Sequence, residues 1–220
     1  MTRKFLLTCW LLAASCAFVA APARGQEVVD KWVATVNGSE LITYSDLLWQ
    51  LALQPNAPLE RPRSEDLNRA LQLVIDQRLI AQEAGKLPSI RPTDADTEAE
   101  LTKLVKLFPS PTEFYERVRR VGLSADRLRE IARERVAIEK FLDFRFRSFT
   151  IVTPQEVSDY YRDVYVPRER ARAPGIVVKT LEQATNEIEQ TLIESKIASD
   201  TDAFLEDART RAEIVILNAV

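Results

Sequence analysis

The sequence predicts a mostly α fold: a helical core with a small β-sheet in which an N-terminal hairpin pairs with the C-terminal strand. Three observations carry this. Asn37-Gly38 lies between two β-prone runs, Lys31 to Val36 and Ser39 to Thr43, and this dipeptide readily supplies the two positive-φ residues of a type I′ hairpin turn. Ala212-Glu213-Ile214-Val215-Ile216-Leu217 is the other convincing strand, and a lone hairpin is marginal in water, so the two segments are expected to meet. Between them Leu, Ala, Glu, Arg and Gln dominate and only five glycines occur in 220 residues, a composition that favours helix. The competing reading is a surface hairpin and a frayed tail.

Residues 1–25 stand apart. Arg3-Lys4 is a basic opening, Phe5 to Ala20 is an apolar stretch short of a bilayer span, and Ala23-Arg24-Gly25 offers small residues for cleavage before Gln26. This reads as a secretory signal peptide, with a retained anchor and a lipoprotein site at Cys16 as alternatives. Both cysteines, Cys9 and Cys16, fall inside it, so the mature chain is expected to lack thiols. Loss of Arg3, Lys4 and Arg24 leaves 27 of 30 basic residues against 33 acidic, formally −6. No stable membrane span is expected once the signal has gone.

Thr43 with Asp46 forms a capping box opening a helix through Leu47, Leu48 and Leu51, and the proline-rich stretch Pro55 to Pro62 reads as a loop. Ser64 is expected to cap a helix carrying Leu67, Leu71, Val74 and Leu79, closed by Gly85. Thr93 with Asp96, Ser110-Pro111 with Glu113 and Thr153-Pro154 with Glu156 repeat the box. Ser124 opens a helix bearing Leu128, Ile131, Ile138, Phe141 and Leu142, expected to reach about 35 Å. Residues 166–178, bounded by Pro167 and Pro174, read as an exposed linker. One long helix should then run from Lys179 to Arg209, burying Leu181, Ile188, Leu192, Phe204 and Ala208. The expected organisation is a signal at 1–25, hairpin and helical core at 26–165, linker at 166–178, and a completing helix and strand at 179–220.

Histidine is absent from all 220 residues, which removes the commonest general base, the triads and the histidine metal sites. Asp94, Asp96, Glu98 and Glu100 alternate somewhat as calcium ligands do, but the glycine and distal glutamate of a calcium loop are missing, and an acidic first turn explains them as well. The arginines at 117, 119, 120, 127, 129, 133 and 135 are interleaved with Glu116, Asp126, Glu130 and Glu134, a spacing that suits intrahelical ion pairs and not a nucleic-acid stripe. Phe141, Phe144, Phe146 and Phe149 read as a core seam, with a sticky surface patch as the alternative. No catalytic residue, metal, cofactor or nucleic-acid partner is expected.

Three stretches together resemble the SurA-like periplasmic chaperones, the SurA N-terminal-domain family. Asp30 to Thr43, with Val36-Asn37-Gly38 and Ile42-Thr43, is similar to their opening. Thr153-Pro154-Gln155-Glu156-Val157 with Tyr160-Tyr161 resembles the helix before their isomerase domain. The run from Phe204 to Ile214 looks like their closing helix and strand. The resemblance spans roughly residues 28–217 and implies a helical chaperone core whose two ends pair. It also implies a departure: the parvulin-type prolyl isomerase domain, with its His-Ile-Leu opening, is missing, and the short linker occupies its place.

The resemblance implies an ATP-independent periplasmic chaperone that holds unfolded or extended polypeptides, outer-membrane protein precursors foremost. The alternatives are a prolyl isomerase with a non-standard site and a scaffold subunit binding one folded partner. A holding surface needs an apolar trough between helices, and the helices of residues 64–85 and 93–120 are its expected walls. Phe108, Phe114 and Tyr115, around a proline-interrupted turn, are the peptide-binding candidates; the other reading is that they staple one helix to the next.

Overall fold

The computed structural model describes residues 30–173 and 175–220; the expected signal peptide lies outside the described residues. Strand β1 (Trp32–Val36) lies between β2 (Glu40–Thr43) and β3 (Ile214–Ile216), antiparallel to both. The pairing of an N-terminal hairpin with the C-terminal strand is therefore as the sequence predicts. Thr35 sits opposite Leu41 on one side and Val215 on the other. Asn37 and Gly38 both take positive φ, 52° and 64°, as the type I′ turn requires. The ladder resumes one residue later than the tightest hairpin allows, with Val36 opposite Glu40, so Ser39 stands outside it.

A second irregularity sets which residues reach the core. Register shifts between Trp32 and Ala34, so Val33 is an extra residue in β1. The bulge lets consecutive residues Val33 and Ala34 both be fully buried, where strict alternation would have turned one outward. The Val33 carbonyl accepts from the Leu217 and Asn218 N–H groups at 2.8 and 3.2 Å. Asn37 completes the other end: its N–H donates to the Glu213 carbonyl and its Oδ1 accepts from the Glu213 N–H.

Seven α-helices fill the described chain: α1 (Tyr44–Ala52), α2 (Ser64–Gly85), α3 (Asp94–Lys106), α4 (Pro111–Arg120), α5 (Ala125–Arg145), α6 (residues 154–172) and α7 (Leu181–Arg211). Reciprocal capping boxes open α1, α3 and α6 at Thr43, Thr93 and Thr153, and Ser110 and Ser124 cap α4 and α5 through single bonds. Thr180 with Gln183 adds a box at α7 that sequence reading passed over. The expected Ser64 cap is corrected: Arg63 is the cap residue, because Asp66 accepts from both the Arg63 N–H and its Nε.

Lengths also differ from expectation. The α5 arm has 21 residues, about 31 Å, and the longest rod is α7 with 31 residues, about 46 Å. The stretch Val166–Arg172, expected as linker, is helical although exposed. It continues Pro154–Tyr160 through a π-helical turn, Tyr161–Tyr165. A proline ring clashes with the carbonyl four residues back, and the wider turn carries the backbone from Asp163 past Pro167 without ending the rod.

Four clusters hold the body together. The inner sheet face, α1 and α2 bury Val36, Ile42, Leu47, Leu71 and Ile75, with Ala208, Ala212 and Ile214 packed alongside. Leu53, Leu104, Phe108, Phe114, Val118 and Leu128 form a second cluster, and Ile80, Ala84 and Phe141 meet Phe204 and Leu205 in a third. Val157, Tyr165, Ala184 and Ile188 form a fourth between α6 and the first half of α7. Among the phenylalanines expected as a core seam, Phe141 and Phe146 are buried, while Phe144 and Phe149 are exposed.

Polar groups stitch the clusters. Arg78 on α2 bonds Glu134 of α5 at 2.9 Å and faces Glu40 at 3.5 Å and Asp46 at 4.0 Å. Arg127 approaches Asp46 at 3.5 Å and lies over the Trp49 ring at 5.5 Å. Arg209 grips Asp76 through two bonds of 2.8 and 2.6 Å, fixing the end of α7 to α2. Among the described residues no helix is long and apolar enough to cross a membrane.

Candidate functional site

The Phe108–Tyr115 turn is built from Pro109 and the Ser110 cap, which reverse the chain between α3 and α4. Phe108 and Phe114 meet edge to face at 5.1 Å inside the second cluster, and Phe114 is fully enclosed. Tyr115 stacks its edge on Phe114 at 5.1 Å and keeps 47% of its surface exposed. Of the three candidates, Tyr115 alone offers a ring to the surroundings; the other two fasten α3 to α4.

The reason lies one helical turn on. Arg117 donates to the carbonyls of Leu51, Ala52, Gln54 and Ala57 at 3.2, 3.3, 2.9 and 2.8 Å. They lie at the C-terminal end of α1 and in the turn after it, where positive charge is favoured; the Leu51 and Gln54 carbonyls also accept from the Gln54 and Ala57 N–H groups. Its guanidinium also lies 5.8 Å from the Phe108 ring, and burial pushes its pKa below the usual arginine value. The aromatic turn is thus clamped under a cation that serves the neighbouring loop.

An open trough lies elsewhere, between α2, α3 and α5. Leu104, Ile138 and Leu142 line it with Leu107, which follows the last residue of α3 and is 58% exposed; its volume is about 470 Å³. Gln77 closes one end from α2, and Glu100, Lys103, Arg135 and Glu139 stand along it. Phe108, Phe114 and Tyr115 are not among its lining residues. Two of its walls are the expected helices; α5 is the third.

Its rim is already neutralised. Arg135 bonds Glu100 at 2.9 Å, and Lys103 lies 3.6 Å from Glu100 and 3.3 Å from Glu139. Bonding to Glu139 raises the Lys103 pKa above its ordinary value. The fence continues outward: Glu98 pairs with Arg129 at 2.5 Å, Asp94 with Arg133, and Asp96 with Lys140 at 2.6 Å. Lys140, then the Thr93 N–H and hydroxyl, hold the Asp96 carboxyl well below the usual carboxylate range. The pairs run along the whole of α3, from Asp94 to Lys103, and reach α5 between Arg129 and Lys140.

This fence accounts for two sequence features together. The alternating acids at 94, 96, 98 and 100 face basic partners on α5, and the arginines at 129, 133 and 135 are bonded across to α3. The expectation of pairs within one helix is corrected for these three; it holds for Arg127 with Glu130, at 2.9 Å. Acids every second residue cannot share one helix face, and they reach α5 because its cations are spread over more than a turn. Among the described residues no three potential metal-ligating side chains are grouped to hold an ion. Sequence reading missed Leu107; its signal is an apolar residue three beyond Leu104, immediately before Phe108-Pro109, where the helix has run out.

Compared with protein-family models and with curated proteins, the chain matches none.

Proposed function

We propose that this chain is a non-enzymatic, ATP-independent chaperone that holds unfolded or extended polypeptide in the bacterial periplasm, with outer-membrane protein precursors as clients. The observation that carries the reading is the trough of Leu104, Leu107, Ile138 and Leu142, open along its length and fenced by side chains that already neutralise one another. Such a surface takes apolar chain by area, and it presents no unpaired charge that would select one sequence. The likeness of residues 30–43, 153–161 and 204–214 to the SurA-like chaperones supports the same reading. Tyr115 is the one peptide-binding candidate that keeps an accessible ring, and it stands apart from the trough's lining residues.

The test is suppression of aggregation of a urea-unfolded β-barrel precursor diluted into buffer, with and without ATP. Suppression independent of ATP, weakened by Leu107→Asp, is the expected result. A second arm places photoreactive residues at Leu107 and, as a control, at Gln190 on the exposed side of α7. Preferential capture of the precursor at Leu107 supports the trough; equal capture at both positions overturns it.

A further inference from the structure

The end of the α6–α7 hairpin has a character unlike the rest of the molecule. Residues 175–180 are non-helical, and Val177 is 93% exposed with Ile176 half-exposed beside it. An aliphatic side chain standing almost wholly in water is costly, and an isolated one is ordinary surface; here two adjoin and share a cavity wall with Arg168, Arg172 and Lys179. Arg168, Arg170 and Arg172 come from the last turns of α6 and Lys179 from the start of α7. Within residues 165–180 and the facing wall of α7, these four cations meet two carboxylates, Glu169 and Glu187.

The pairing leaves charge over. Glu187 is bonded to Lys179 at 2.9 Å and lies 4.0 Å from Arg168, and Glu169 is bonded to Arg168 at 3.3 Å. Lys179 holds the Glu187 carboxyl below its ordinary pKa. Arg170 and Arg172 have no carboxylate partner among the described residues. Beneath the tip Arg168, Arg172 and Lys179 line a cavity of about 570 Å³ that Ile176 and Val177 overhang. Residues 26–220 are formally −6 overall, so this end is a local reversal of sign on an acidic protein.

We propose that residues 168–173 and 175–179 form a finger that docks the protein on an anionic lipid surface. Ile176 and Val177 enter the boundary between headgroups and acyl chains, and the cations lie level with lipid phosphates, the cavity receiving one headgroup. Apolar insertion and basic attraction are each weak, and together they give reversible peripheral binding. The acidic body is repelled by the same surface, which orients the protein finger first. The π-helical turn contributes by carrying α6 past Pro167, which places three arginines beyond the point where a proline would otherwise end the helix. The inference is independent of the chaperone reading.

The experiment is co-sedimentation of the purified chain with vesicles of phosphatidylglycerol and phosphatidylethanolamine, compared with phosphatidylcholine alone. Binding to the first and not the second is expected, falling as salt rises. Arg170→Gln and Arg172→Gln should each weaken binding about fivefold, from ~1 kcal/mol per basic side chain at such a surface. Val177→Asp should abolish it, with the thermal midpoint unchanged because the side chain is almost wholly exposed. Ile151→Asp serves as control: it is also largely exposed, at 75%, but lies beyond the opposite end of α6, a helix about 28 Å long. Equal binding to both vesicle types, wild-type binding by Val177→Asp, or an equal loss with Ile151→Asp would overturn the proposal.

Discussion

Replacing Arg117 by alanine isolates the clamp that joins the α1–α2 loop to α4. One guanidinium satisfies four carbonyls, of Leu51, Ala52, Gln54 and Ala57. A charged hydrogen bond contributes about 1.5–3 kcal/mol in a protein, but on truncation the Leu51 and Gln54 carbonyls keep their backbone N–H partners. The loss is therefore set by the remaining pair, and we expect about 2–4 kcal/mol in all. For a domain of this size that lowers the melting temperature by roughly 5–15 °C. Urea denaturation followed by far-ultraviolet circular dichroism measures it, with the midpoint shifted and the slope preserved. Arg117→Lys should fall between, because an ammonium keeps the charge at the α1 terminus but lacks the planar fork that reaches four acceptors. A change below about 0.5 kcal/mol for the alanine variant, the level of an ordinary surface substitution, would refute the clamp.

Phe114→Ala should cost about 3–5 kcal/mol by leaving a cavity in the second cluster, whereas Tyr115→Ala, whose ring is half in water, should cost under ~1 kcal/mol; equal urea midpoints for the two would mean that Phe114 is not the packing centre described. Acid should loosen the α6–α7 hairpin. Lys196, then the Thr153 N–H and hydroxyl, hold the Glu156 carboxyl down to about 2. A carboxylate depressed in the folded state contributes stability fully above its unfolded pKa, about 4.3, and loses it as pH falls through the folded value. Glu156→Gln should flatten that part of an acid titration of stability, and an unchanged profile would remove Lys196 and Glu156 from the account.

The fold was readable in sequence wherever local chemistry and tertiary demand coincide. Thr43-Asp46, Thr93-Asp96 and Thr153-Glu156 announce helix starts because the cap satisfies amides that any helix leaves orphaned, whatever surrounds it. Asn37-Gly38 fixes a turn by φ alone. What stayed hidden depends on partners distant in sequence. Ser64 has the chemistry of a cap, yet Asp66 satisfies the Arg63 N–H and the helix starts from there. Val166–Arg172 is punctuated as a linker by its prolines, and a π turn, which has no composition signature, makes it helix. The candidate site follows the same division. Phe108 and Phe114 beside a proline turn signal an aromatic junction, but whether the rings face in or out is decided by Arg117 and α1, which local sequence does not report. The trough arises from the packing of α3 against α5, legible only when the acids at 94–100 are matched with bases 31 to 44 positions later.

The pairing of β1 with β3 puts a clock on the birth of the molecule. Asn218 bonds the Trp32 carbonyl across 186 positions, so the first strand emerges long before the last. At ~5–20 residues per second the ribosome needs about 10–40 s to supply that partner. Throughout this interval β1 has a bare edge, and the inner face of Val33, Ala34 and Val36 lacks its cover from Ile214. A chain built this way does not complete its first domain core while still being made. The core stays unclosed until β3 has been made, and the closing strand then acts as the latch that commits it to its final shape.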